Sequence, residues 1–305
     1  MMRKLFAALL CLLLCVSVFS GASAFSFASA DRDAEYINLG SATVQDWDAF
    51  IAFLRQFPNL KKVDMFATQI TADKVALLTK EFPDVEFGWT LQLMKYKDKH
   101  IVRTDATAFS TLHGVCPSHG TEEFALLKYC TNMLALDLGH NNITDLSLLR
   151  SMPHLRVLIL GENPNLKNIA EIGNLQDLEY LELFSCGITD ISPLTKLTNL
   201  MDLNLGNNRV ADWRPLKEMT WLKRLWIPGM TAKYLNKDEL KELQEALPDT
   251  VIMANVDYED YPTSAGWRVN TKTGENDPHY DVIHRMFQKG VYIPFAESAP
   301  LPGEE

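Results

Sequence analysis

His113, Cys116 and His119 fall within seven residues and bring two imidazoles and a thiol that could ligate a transition metal. No fourth ligand stands near them, and the spacing matches no standard zinc pattern, so no metal site is expected. His279 and His284 are five apart, which places them on different faces of a helix. Asp257, Glu259 and Asp260 form an acidic run without the glycine and distal glutamate of a calcium loop. No G-x-S-x-G, Walker or H-E-x-x-H pattern occurs. No catalytic residue and no cofactor are therefore assigned. Two carboxylates, Glu182 and Asp202, sit one repeat apart and could act as acid and base of a hydrolase, but no nucleophile accompanies them.

Any site must be positioned by a repeating frame. Aligning on apolar residues gives Met133-Leu136-Leu138-Asn141-Ile143, Leu155-Leu158-Leu160-Asn163, Leu178-Leu181-Leu183-Cys186-Ile188, Leu200-Leu203-Leu205-Asn208-Val210 and a truncated Leu222-Leu225-Ile227. Successive units start 22, 23, 22 and 22 residues apart, the L-x-x-L-x-L-x-x-N/C-x-L signature of leucine-rich repeats. Leucines two apart share one face of a strand and point inward, while their neighbours point to the other face. The asparagines stand where the chain turns, and an amide there can bond backbone groups the turn leaves unpaired. Cys186 occupies that column as a structural thiol. Pro193 and Pro215 suit the first position of short convex turns.

The expected fold is α/β: a curved leucine-rich-repeat solenoid, with a parallel β-sheet on the concave face and short helices or 3-10 turns on the convex one. Residues 127–250 hold the regular repeats. Residues 31–126 read as an N-terminal cap of wider, irregular repeats. There Leu60-Val63-Met65-Ile70 repeats the pattern with Thr68 in the asparagine column, and helices are expected over 44–57 and 72–82. Residues 251–305 read as a capping segment with one short helix over 281–288 and a disordered end.

The string Ile188-Thr-Asp-Ile-Ser-Pro-Leu-Thr-Lys-Leu-Thr-Asn-Leu200 resembles the 22-residue repeats of internalin-type bacterial surface proteins. Arg103–Phe109 and Leu134–Asp145 resemble secreted leucine-rich-repeat proteins of Gram-positive gut anaerobes. The resemblance implies a solenoid that binds protein and carries no reaction. The end, Ala-Pro-Leu-Pro-Gly-Glu-Glu, departs from the sorting signal of the surface-anchored members.

Export is expected from the N-terminus. Arg3-Lys4, an apolar run from Leu5 to Phe19, and Ala22-Ser23-Ala24 describe a signal peptide over 1–24, too short an apolar run for a membrane anchor. Ala28-Ser29-Ala30 is a second cleavage choice, so the mature chain starts at Phe25 or Asp31. The 29 Lys and Arg, less Arg3 and Lys4, face 39 Asp and Glu, which moves the net charge from −10 to about −12. That acidity argues against nucleic acid or anionic membrane as a general partner. Three cysteines remain in the mature chain, Cys116, Cys130 and Cys186, of which Cys116 and Cys130 could bridge.

On the concave face one column runs Asp137, Ile159, Glu182, Asn204, Trp226. It is flanked by Ala135, Val157, Tyr180, Asp202, Arg224 and by Gly139, Gly161, Phe184, Gly206, Pro228. Asp137, Tyr180, Glu182, Phe184, Asp202, Asn204, Arg224 and Trp226 are the candidate binding residues, because aromatics and arginine beside fixed charges carry most interface energy. The glycines would leave room for a partner. Either a partner or the chain's own C-terminal segment covers these rings. The reading is a monomeric, secreted or cell-surface, non-catalytic protein that binds a protein or peptide, with a glycan as second ligand class. A hydrolase and a structural envelope component are the alternatives.

Overall fold

The computed structural model describes residues 19–20, 32–93, 100–111, 118–227, 235–254, 265–269 and 277–295. The chain divides into two compact units, 1–105 and 106–305. Nearly all of the expected signal segment, both cleavage sites, His113, Cys116, Pro228, the acidic run at 257–260 and the expected disordered end lie outside the described residues.

In the first unit a four-stranded sheet runs in the order Tyr36–Asn38, Lys62–Ile70, Glu86–Gln92, Ile101–Arg103. The first three strands are parallel and the last is antiparallel. Helices Trp47–Leu54 and Ala72–Glu81 connect the parallel strands. The first begins where the Asp46 carboxylate accepts from the Ala49 N–H at 3.0 Å, which supplies one of the acceptors a helix start lacks. Phe50, Val63, Met65, Ile70, Leu78 and Leu91 are buried between sheet and helices. Thr68 does what its column requires. It is buried, and its Oγ1 accepts from the Val44 N–H at 3.0 Å. Phe19–Ser20 pairs antiparallel with Thr43–Val44.

In the second unit seven strands form one sheet, in the order Val251–Met253, Arg224–Trp226, Asp202–Asn204, Tyr180–Glu182, Val157–Ile159, Ala135–Asp137, Ala108–Ser110. All neighbours are parallel. The sheet thus extends one strand beyond each end of the segment expected to hold the regular repeats. Leu136, Leu158, Leu181, Leu203 and Leu225 are fully buried and stand in register. The back of each unit is a short turn of helix: 3-10 at Ser147–Ser151, Ala170–Asn174 and Ser192–Lys196, and α at Arg214–Lys217, with Pro193 and Pro215 in their first turns. A wider helix, Lys237–Ala246, precedes the last strand. This is an α/β leucine-rich-repeat solenoid.

The asparagine column closes the turns. Asn163, wholly buried, accepts from the Ile143 N–H at 2.8 Å and donates to the carbonyls of Leu138 at 3.0 Å and Leu160 at 2.8 Å. Asn141 and Asn208 repeat the arrangement. Cys186 keeps the donor contact, from Sγ to the Leu160 carbonyl at 3.3 Å, and burial pushes its thiol up to about 12, which keeps it a protonated, inert group.

One regular feature was not foreseen. The residue before each column member, His140, Glu162, Ser185 and Asn207, has φ between 53° and 58°. None is glycine, so each carries the cost of the left-handed region. For the first three, inter-repeat bonds offset it: the N–H groups of His140, Glu162 and Ser185 donate to Gly161, Phe184 and Gly206 carbonyls at 2.8–2.9 Å.

Candidate functional site

The strand register brings the eight candidate residues to one sheet face, because Tyr180 pairs with Asp202 and Asp202 with Arg224, while Glu182 pairs with Asn204 and Asn204 with Trp226. That face is covered. Asp137, Tyr180, Glu182, Phe184, Asp202, Asn204 and Trp226 are all buried, and only Arg224 is partly open. The chain's own C-terminal segment lies on them, the second of the two occupants left open by the sequence.

That segment consists of a short helix Ala265–Arg268, a longer helix Pro278–Lys289 and a final stretch to Phe295. The longer helix is four residues wider than the sequence indicates. Asp277 caps its start by accepting from His279 N–H at 3.1 Å, and Gly290, at φ 65°, ends it, the usual glycine role past a helix C-terminus. Val282, Ile283 and Met286 point onto Ala108, Ala135, Val157 and Ile159, the apolar part of the same sheet face.

Beside this apolar patch is a polar seat. Trp267, almost wholly buried, lies between Tyr180 and Trp226, with ring centroids 5.8 and 6.1 Å away, distances at which tilted aromatic pairs attract. Its Nε1 donates to Tyr180 Oη at 2.7 Å, and Tyr180 Oη donates to Glu182 Oε1 at 2.5 Å. Arg268 meets Glu182 in a fork, Nη2 to Oε2 at 2.6 Å and Nε to Oε1 at 3.1 Å, the bidentate geometry that suits guanidinium and carboxylate. Burial alone would push Arg268 down, but the Glu182 carboxylate outweighs it and holds the guanidinium more firmly protonated than usual. Burial pushes the Tyr180 phenol well up.

Asp202 anchors the second cluster. Its Oδ2 accepts from Arg224 Nη2 at 3.1 Å and lies 2.5 Å from His279 Nδ1. Arg224 also bonds the Asp277 carboxylate, and its guanidinium carbon stacks 3.8 Å from the Trp267 ring centroid. The hydrogen bond to Asp202 raises the His279 pKa above its ordinary value. Asp137 sits apart, held by Ser110 Oγ and the Gly139 N–H, both at 2.9 Å, and burial raises its pKa.

The glycine column is not open either. A Cβ on Gly161 would meet the Phe184 ring at 2.2 Å, so the space its missing side chain leaves is taken by the next repeat's aromatic. Glu182 and Asp202, the carboxylates considered for acid–base work, each hold an arginine instead of facing an open cleft. Sequence reasoning missed Trp267, Arg268, Asp277 and His279. A tryptophan–arginine pair in an aromatic-rich tail was the available signal.

With the repeat geometry in place, the family model for leucine-rich repeats (two copies) matches residues 131–174 and 176–218. Those segments are leucine-rich repeats. A tubulin-specific chaperone E of Dictyostelium discoideum is 21% identical over 266 residues, covering 72% of this chain and 46% of the chaperone. Leucine-rich repeat-containing protein 4 of Rattus norvegicus is 32% identical over 90 residues, 28% of this chain and 14% of that protein. The chain thus spans less than half the length of these relatives. Among solved structures, an internalin (inlF) from Listeria monocytogenes is similar at 18% identity and a TM-score of 0.42, covering 78% of this chain and 72% of that one, a superposition too loose to carry an argument about function. Leucine-rich repeats generally serve protein interaction, which supports a binding role. No described helix is long and apolar enough to cross a membrane.

Proposed function

We propose that this chain is an exported, non-catalytic binding protein of a bacterial cell surface or its surroundings, and that it recognises a protein or peptide through the concave sheet face of its repeats. The observation that carries the reading is the clasp itself. The face already holds a peptide segment by an aromatic anchor, a forked arginine–carboxylate pair and a histidine–carboxylate contact, the anchor chemistry of interface hot spots.

Capture from envelope and extracellular extracts tests it, using the full chain, an Arg268→Ala variant that loosens the clasp, and an Arg268→Ala/Trp226→Ala variant that also damages the face. A partner retained best by Arg268→Ala and lost from the folded double variant is the expected result. Equal capture by all three would move the binding surface off this face. Capture of nothing would favour a structural envelope role.

A further inference from the structure

The seat under the C-terminal segment is built from charge where apolar side chains would close a sheet face at least as well. Buried ion pairs seldom add stability over apolar replacements of the same shape, yet Glu182 is wholly buried and Asp202 almost so. Glu182 is answered by the Arg268 guanidinium and Asp202 by the His279 imidazole, from a segment 86 or 77 residues away. Between Glu182 and Trp226 in the same column stands Asn204. It is wholly buried, and its Oδ1 accepts from the Gly206 N–H at 3.0 Å. Its Nδ2 has no acceptor among the described residues, and a buried donor left unpaired is costly. The resident segment therefore fills the aromatic and guanidinium subsites and leaves the amide subsite unanswered.

Resting on the concave-face reading above, we infer that the groove's ligand is a peptide bearing an arginine beside a large aromatic residue, and that the segment carrying Trp267 and Arg268 is its intramolecular stand-in. The ligand's ring takes the place of Trp267 between Tyr180 and Trp226. Its guanidinium replaces Arg268 on Glu182, and one of its carbonyls accepts from Asn204 Nδ2. A tethered competitor acts at an effective concentration on the order of millimolar, so the intact chain holds such a peptide weakly and a chain with a loosened segment holds it well.

The probe is a fluorescein-labelled synthetic peptide with the sequence of residues 265–295, beside copies with Arg268 or Trp267 replaced by alanine, read by anisotropy against the full chain. The Arg268→Ala chain should bind the unaltered peptide at least about ten-fold more tightly than the wild-type chain. Each altered peptide should bind that chain more weakly by on the order of ten-fold, the scale of one lost charge-assisted bond or anchor. If Arg268→Ala does not fold, or its segment stays closed by amide exchange, a protease site placed within 255–264 allows the segment to be nicked after folding and exchanged for excess peptide. Failure of the peptide to enter an opened or nicked chain would overturn the inference, as would equal binding of the arginine-free copy. Either failure leaves the capture result above untouched, so the ligand's chemistry and the existence of a partner are judged separately.

Discussion

Replacing Arg268 by alanine takes off, from a carboxylate that has no access to water, the only cation that meets it among the described residues. Glu182 would keep the Tyr180 hydroxyl and the Trp267 indole N–H, two neutral donors in place of a charge. Breaking one side of a buried pair costs about 3–5 kcal/mol, because the partner stays buried and uncompensated. Glu182→Gln strands the guanidinium in the same way, with an Arg268 side chain only 11% exposed. In the double variant neither charge remains, so its loss should fall well short of the sum, with an interaction energy of about 1.5–3 kcal/mol. Amide exchange followed by mass spectrometry separates two routes for this loss. If the segment docks less tightly than the cost imposed, helix Pro278–Lys289 opens while the asparagine-column amides stay protected. If it docks more tightly, the whole second unit loses stability, visible as a lower urea midpoint. Additivity of the two single substitutions within about 0.5 kcal/mol would refute the reasoning, since it would mean that the fork contributes nothing as a pair.

Two further outcomes follow from the same geometry. Asn163→Ala removes three buried hydrogen bonds and should cost about 3 kcal/mol or more, whereas Asn163→Cys, which can keep the donor contact seen at Cys186, should cost less; urea denaturation decides, and equal losses would deny the column its role. His279 faces Asp202 and Arg224 from the sheet and Asp277 from its own helix start. Its pKa is raised above 6.5 by the Asp202 hydrogen bond, so its contribution to the clasp is fully present below that value and is lost as pH rises through the folded value. Amide exchange of residues 278–289 should therefore quicken across that rise, beyond the intrinsic pH effect, and His279→Gln should abolish the dependence.

The legible part of this molecule is the part that repeats. Leu136, Leu158, Leu181 and Leu203 recur at one strand position, and a two-residue period tells which side chains point inward. That was enough to give the register of the sheet, the columns on its far face and the job of Asn141, Asn163 and Asn208. It even placed Thr68, outside the regular repeats, in a column where a hydroxyl can accept a backbone N–H. The left-handed residues were invisible because His140, Glu162 and Ser185 have nothing chemical in common; the neighbouring repeat's carbonyl, not the side chain, secures that conformation.

The state of the far face was illegible for a different reason. Periodicity reports what points where, and says nothing of what arrives from elsewhere in the chain. Tyr180, Glu182 and Trp226 have the composition of an exposed recognition surface, and the same composition serves a buried contact once Trp267 and Arg268 lie on it. Exposure is decided by chain closure over more than 80 residues, through a segment with no repeat of its own to reveal its register. The residue that separates the two states is Asn204. A face evolved only to be covered would pair its buried amide with the cover, and a face that also receives a ligand can leave that donor for the ligand to fill.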